Sequence, residues 1–73
     1  MKKEYYLNRN QQSNGDYEVH ESSCRFLPSF ENRIYLGSFY SCEEAVNEAK
    51  RLYPADKNNI NGCYECSNSC HTS

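Results

Sequence analysis

Two pairs of potential metal ligands, one in each half of the chain, constrain its fold more than any other feature. His20 and Cys24 are separated by three residues, and Cys63 and Cys66 by two. Tetrahedral zinc sites commonly combine two short-spaced pairs of cysteine and histidine, which the intervening fold brings together. Together the pairs complete a Cys3His set, and the sequence predicts a metal site that joins the two halves of the chain.

The small size of the chain gives such a site a structural purpose. With 73 residues, we expect one domain over residues 1–73 and no room for a second. A domain this short buries only about 60% of the surface that its unfolded chain exposes, which leaves a thin stability margin. Small scaffolds often add disulfides or a structural metal, and five cysteines indicate that one of these is used.

The choice between metal and disulfides depends on the compartment and on the number of thiols. The N-terminal residues MKKEYYLNRN lack the apolar run of a secretory signal, and no stretch approaches the roughly 20 apolar residues of a membrane helix. We therefore expect a cytoplasmic protein. Disulfides are rare in the reducing cytosol, and an odd number of cysteines would leave one thiol unpaired. Both arguments favour metal, with zinc as the expected cofactor.

The C-terminal tail offers rival ligands, because Cys70 and His71 follow Cys66 in the run CYECSNSCH. A local site could combine both of them with Cys63 and Cys66, or Cys70 could replace His20. The Cys63 and Cys66 pair also allows a different interpretation, a redox-active dithiol. That motif normally opens a helix in a βαβ unit, which this sequence lacks.

The pattern of apolar residues predicts an α+β fold, with about three short antiparallel strands and one main helix. Strands are expected over residues 3–8, 16–20 and 32–39, with a turn at Asn14-Gly15 between the first two. Within the third strand, Ile34 and Leu36 are expected to face inward, with Phe39 as a further candidate. The polar segment 55–62 is interpreted as a connection back to the second cysteine pair.

A helix is predicted over about residues 42–53. Ser41 and Glu44 fit a capping box, in which each side chain accepts a hydrogen bond from an unpaired backbone N–H, and Pro54 ends the helix. Cys42 lies in the first turn, where the helix dipole can lower a thiol pKa, although a small buried residue is the favoured interpretation. The predicted apolar stripe consists of Ala45, Val46, Ala49, Leu52 and Tyr53.

Charge and composition narrow the functional classes. Eight basic and ten acidic residues give a formal net charge of −2, and the basic residues are scattered, whereas nucleic-acid binders usually show a basic stripe. The sequence contains no paired carboxylates in a plausible site, no nucleophile beside a base and no glycine-rich phosphate loop. We therefore expect a binding module without catalytic activity. Its expected partner is a protein, contacted through exposed tyrosines and the acidic surface.

Three segments in this order, GDYEVHESSCRFLP, NRIYLGSFYSCEEAV and GCYEC, resemble the Ada-like metal-binding domain. The resemblance covers roughly residues 20–66. It implies a small α+β zinc domain in which four protein ligands hold the metal, and these map onto His20, Cys24, Cys63 and Cys66. It also implies a nucleic-acid-binding module as the alternative function.

Two departures from that family bear on activity. In its DNA-repair members the first ligand is a cysteine that accepts a methyl group from a DNA phosphotriester, whereas this chain has His20 there. A neutral imidazole is a far poorer nucleophile than a zinc-bound thiolate. The arginines that those members place near the second cysteine pair are replaced by Tyr64 and Glu65, and an acidic side chain repels phosphate. The comparison therefore predicts zinc binding without methyl transfer.

Overall fold

The computed structural model describes residues 1–71, which form a four-stranded sheet with one main helix against it. The strands are β1 (Lys3–Asn8), β2 (Tyr17–Glu21), β3 (Arg33–Phe39) and β4 (Ile60–Gly62), and the helix is α1 (Cys42–Leu52). Short 3-10 helices cover Phe30–Asn32, Pro54–Asn59 and Asn68–Cys70. The predicted α+β class is confirmed, with one strand more than expected.

The strands lie in the order β3-β1-β2-β4. β1 is antiparallel to both β2 and β3, whereas β4 is parallel to β2. The parallel pairing continues past the end of β4, where the backbone N–H of Cys63 donates to the carbonyl oxygen of Val19 at 2.9 Å. The two cysteines that follow β4 are thereby placed beside the end of β2, which carries His20.

The core lies between the sheet and α1. The buried side chains of the helix are Ala45, Val46 and Ala49, together with Cys42 at its first position. The sheet contributes Tyr5, Leu7, Val19, Leu36 and Ile60, with Ile34 and Phe39 partly buried against them. The inward orientation of the third strand is therefore confirmed. Burial of this apolar area supplies the main stabilisation of the domain, at about 25 cal/mol per Å².

The helix ends one residue before the predicted limit of about residue 53. Leu52 is its last residue, and Tyr53 has left the helical conformation; both are exposed, at 42% and 37%. The predicted inclusion of these two residues in the buried stripe is wrong. Pro54 begins a 3-10 helix directly afterwards, so the α-helical spacing that would place these two residues on the buried face ends at Leu52.

The strand β4 lies inside a segment that the sequence indicated to be a polar connection. It has three residues, and all are buried. Only Ile60 is apolar among Ile60–Gly62, so neither alternation nor β-propensity marks the strand. Pairing with β2 and burial beneath the C-terminal segment make it a strand, and both are properties of the tertiary structure.

None of the helices described for residues 1–71 is both long and apolar enough to span a membrane. The surface of the domain exposes several aromatic rings. Among the residues that are more than half exposed are Phe26, Phe30, Tyr35, Tyr40 and Tyr64.

Candidate metal centre

The four predicted ligands come together at one end of the sheet and are called the metal centre below. Their ligand atoms all lie within 4.8 Å of one another. His20 is in β2, Cys24 follows it in the adjoining turn, and Cys63 and Cys66 follow β4. Because side chains alternate along a strand and Val19 faces the helix, His20 points to the opposite face of the sheet. The metal centre thus lies outside the core under α1.

The spacing of the ligand atoms fits a tetrahedral ion. The Sγ of Cys24 is 3.6 Å from Nδ1 of His20 and 3.9 Å from Sγ of Cys63. Bonds of about 2.3 Å to sulfur and about 2.0 Å to nitrogen, at tetrahedral angles, separate two sulfurs by about 3.8 Å and sulfur from nitrogen by about 3.5 Å. The two distances are close to these values, and the other pairs of ligand atoms lie within 4.8 Å.

The His20 ring offers its Nδ1 to the metal centre and turns its Nε2 away. Nε2 is buried and has no hydrogen-bond partner, and the nearest acidic atom paired with it is Oε1 of Glu18, at 3.9 Å. A metal-ligating histidine usually directs its other nitrogen at a carboxylate or carbonyl group, which fixes the ring and its tautomer. Glu18 lies two residues earlier on the same face of β2, so its carboxylate is placed to serve as this partner of Nε2. Sequence reasoning did not single out Glu18, because its i, i+2 spacing places it on the same face as His20 but does not show which way the His20 ring points.

Backbone N–H groups point at the sulfur atoms. Glu21 donates its N–H to Sγ of Cys66 at 3.3 Å, and Phe26 donates to Sγ of Cys24 at 3.4 Å. The N–H groups of Cys66 and Glu65 hydrogen-bond the Cys63 side chain. Donors of this kind favour a charged acceptor, so the turns around the cysteines are arranged to stabilise thiolates.

The electrostatics of the cluster suit a metal better than a reactive thiol. Burial raises the pKa of the Cys24, Cys63 and Cys66 thiols, whereas reactive cysteines have depressed values. Burial also lowers the pKa of His20, which keeps the imidazole in the neutral form that binds metals. Without a metal, burial therefore favours the neutral thiols and the neutral imidazole. A bound cation would stabilise the thiolates through its positive charge.

The remaining two cysteines form a disulfide, Cys42–Cys70. The sequence argument favoured metal over disulfides and did not predict this bond, whereas the described residues contain both a disulfide and a separate group of potential metal ligands. The favoured interpretation of Cys42 as a small buried residue is confirmed, since it is 8% exposed within the core, but it is bonded rather than free. Of the five cysteines, two form this disulfide and three are free thiols. The three free thiols lie beside His20 in the metal centre. The spacing along the chain gave no signal for the pairing, which joins residues 28 positions apart.

The rival ligands lie outside the metal centre. The sulfur of Cys70 is committed to the disulfide, which removes it from the set of ligands. The Nδ1 of His71 lies 3.0 Å from the carbonyl oxygen of Gly62, where its N–H donates, and its ring meets Tyr64 edge to face at 5.4 Å. The local site built from the tail is therefore not formed.

Comparison with known proteins gave no matching family model, no similar curated protein and no similar solved structure. The resemblance to the Ada-like domain therefore stays a prediction that rests on the sequence segments alone.

Proposed function

We propose that this protein binds one Zn²⁺ ion at the metal centre and that the ion has a structural role. The observation that carries the proposal is the convergence of three thiols and one imidazole within 4.8 Å of one another, with distances of 3.6 and 3.9 Å from Cys24 to His20 and Cys63. Among common biological metals, zinc prefers sulfur and nitrogen ligands in this geometry. Four protein ligands fill the tetrahedral positions, which is typical of structural sites, whereas catalytic sites keep one position open for water or substrate.

The origin of the ligands supports the structural role. One pair belongs to β2 and its following turn, and the other follows β4, so the ion would join segments 39 residues apart. Because these segments converge only in the folded chain, the free energy of zinc binding would also be free energy of folding.

Zinc analysis combined with native mass spectrometry tests this proposal. We expect one zinc per monomer, and its loss in a Cys66→Ser variant. His71→Ala is the matched control, because it removes a neighbouring potential ligand that lies outside the metal centre. A purified monomer that is metal-free and fully folded in reductant would overturn the proposal, as would zinc binding that survives His20→Ala but not His71→Ala.

We further propose that the domain serves as a non-catalytic module that binds another protein. The support is the set of exposed rings, because tyrosine and arginine dominate the energetics of protein interfaces. Arg33 lies over the rings of Tyr6 and Phe30, with its guanidinium carbon 4.9 and 5.6 Å from their centroids. Tyr35 stands 5.4 Å from Tyr6 on the adjoining strand. These four residues, of which Phe30 and Tyr35 are exposed and Tyr6 and Arg33 half-buried, are called the aromatic face below.

The aromatic face also supports the alternative, a nucleic-acid module, because exposed rings beside arginine can stack on bases. The two functions differ in their dependence on salt. Nucleic-acid binding would weaken steeply as salt rises, since it releases counterions from phosphates. Titration of fluorescent single-stranded DNA and RNA with the protein, at low and physiological salt, separates them. Our proposal expects no measurable affinity at physiological salt, and a salt-dependent affinity that Arg33→Ala removes would establish the alternative.

A further inference from the structure

The disulfide Cys42–Cys70 lines a surface cavity of about 490 Å³. Cys42 is the first residue of α1 and is 8% exposed, whereas Cys70 is partly exposed at the end of the last 3-10 helix. The cavity lining includes one acidic side chain, Glu43, and one basic side chain, Lys50, so their formal charges cancel. A small thiol can therefore enter the cavity and approach the bond from the side of Cys70.

The same disulfide supports the backbone that carries half of the metal centre. A β-carbon placed on Gly62 would lie 2.6 Å from Cβ of Cys70, so Cys70 packs directly on β4, one residue before Cys63. Between these cysteines, Ser67 donates its N–H to the Cys63 carbonyl and Cys70 donates to the Ser67 carbonyl, at 2.8 and 2.9 Å. The segment 63–70 is thus a continuous series of turns.

The two ends of this segment are held in different ways. Cys63 is attached to the sheet through its hydrogen bond to Val19, and Cys70 is attached to α1 by the disulfide. Cys66 lies between the two attachments. Opening the disulfide would release the attachment to α1 and leave the Cys63 hydrogen bond and the contact of His71 with the Gly62 carbonyl oxygen. The segment that carries Cys66 would then have more conformational freedom.

We propose that the Cys42–Cys70 disulfide is a redox-active bond that opens to dithiols and controls how tightly the metal centre holds zinc. The proposal rests on zinc binding at the metal centre. In the closed state the bond holds segment 63–70 in the geometry of the ligands. In the open state that segment gains conformational freedom. Part of the free energy of zinc binding must then offset the entropy that the segment loses when it becomes ordered. The open state therefore binds zinc more weakly.

The opening step is a thiol–disulfide exchange with an external dithiol as the reductant. A thiolate of the dithiol attacks Sγ of Cys70, a new S–S bond forms, and the Cys42–Cys70 bond breaks. Cys42 leaves as a thiolate at the N-terminus of α1, where the helix dipole stabilises negative charge. The second thiol of the reagent, as its thiolate, then displaces Cys70. The dithiol ends as a disulfide, and the protein gains two electrons and two protons as two thiols.

The first experiment measures whether the bond opens in the folded, zinc-loaded protein. Wild-type protein is treated with dithiothreitol without denaturant, alkylated with iodoacetamide and analysed by peptide mass spectrometry. We expect alkylation of Cys42 and Cys70 while Cys24, Cys63 and Cys66 stay protected. A Cys42→Ala/Cys70→Ala variant treated in the same way controls for zinc that the reagent itself removes. A disulfide that opens only after denaturation or removal of zinc would overturn the proposal.

The second experiment measures the coupling to zinc without any reductant. Zinc affinity is determined by competition with a chromophoric chelator, for the oxidised wild type and for the Cys42→Ala/Cys70→Ala variant. We expect the variant to bind at least about tenfold more weakly, within the range that groups supporting metal ligands usually contribute. Val46→Ala is the matched control, because it truncates a buried side chain of the same helix and cavity and keeps the disulfide.

The outcomes separate this proposal from the proposed function. If the oxidised wild type binds zinc and the double variant binds it equally tightly, or if Val46→Ala causes the same loss, the coupling fails alone. If the oxidised wild type binds no zinc, the structural zinc site fails and the coupling fails with it. A double variant that stays unfolded in saturating zinc, as judged by circular dichroism, also overturns the coupling, because the bond would then be a requirement for folding.

Discussion

At the scale of single residues, Glu18 is expected to set the affinity of the metal centre without touching the metal. Its carboxylate is the acidic group nearest to Nε2 of His20, and the other ring nitrogen faces the sulfurs. Replacing Glu18 with Gln removes the charge that orients the imidazole, and we expect zinc affinity to fall about tenfold. Chelator competition measures the change. Glu43→Gln, an equal change of charge on the exposed face of α1, should leave the affinity unchanged, and equal losses in both variants would contradict the role of Glu18.

Gly62 is expected to tolerate no side chain. A β-carbon there would lie 2.6 Å from the Ser67 carbonyl oxygen as well as from Cβ of Cys70, and neither backbone nor a bonded cysteine can move easily. We expect Gly62→Ala to destabilise the protein by about 1 to 3 kcal/mol, the usual cost of overpacking. Urea unfolding in the presence of zinc provides the measurement. A change of stability below about 0.5 kcal/mol, typical of unremarkable surface substitutions, would contradict this account.

At the scale of elements, the N-terminus of α1 depends on two side chains. Ser41 Oγ accepts from the Glu44 N–H at 3.3 Å, and the Glu44 carboxylate accepts from the Tyr40 N–H at 2.8 Å. Loss of an N-cap hydroxyl costs about 1 kcal/mol. For a domain of this size that corresponds to about 4–8 °C in Tm, so we expect such a decrease for Ser41→Ala in a thermal melt. Ser38→Ala, the same change at an exposed position of β3, should have a much smaller effect, and equal shifts would argue against the cap.

The elements that local sequence defines were predictable, and those that depend on tertiary contacts were not. The turn at Asn14-Gly15 has Gly15 at φ +94°, and the cap of α1 forms as its residues indicate. β4 is the opposite case, because its pairing with β2 and its burial come from segments distant in the sequence. The exposure of Leu52 and Tyr53 belongs to the same group, because the end of α1 before Pro54 was predictable but the side chains that reach the core were not.

At the scale of the whole molecule, stability is expected to depend on zinc. A ligand that binds only the folded state at about a thousand times its Kd adds about 4 kcal/mol to the free energy of unfolding. We therefore expect EDTA to lower the Tm of the oxidised protein by more than the loss of any single cap does. Circular dichroism melts with zinc and with EDTA provide the comparison, and superimposable melts would contradict a structural metal.

The convergence of the ligands is the part of the site that spacing along the chain predicted well. His20, Cys24, Cys63 and Cys66 could be grouped because metal chemistry requires short-spaced pairs. The partner of Cys42 could not be assigned, because a disulfide depends on the distance between two backbone segments. Glu18 was missed because a single carboxylate on a strand has no distinguishing pattern until the orientation of His20 is known.

The parallel pairing of β4 with β2 has a consequence for the order of events during synthesis. Residues 60–70 supply the last strand, two ligands of the metal centre and one end of the disulfide, so every long-range cross-link in the described domain waits for them. Until they leave the ribosome, Cys24 and Cys42 have no partner and the sheet cannot be completed. Because contacts distant in sequence form slowly, the nascent domain passes through a period in which its thiols are open to oxidation and mispairing. If the proposed zinc site forms, we therefore expect reducing conditions and zinc to matter most while the chain is being synthesised.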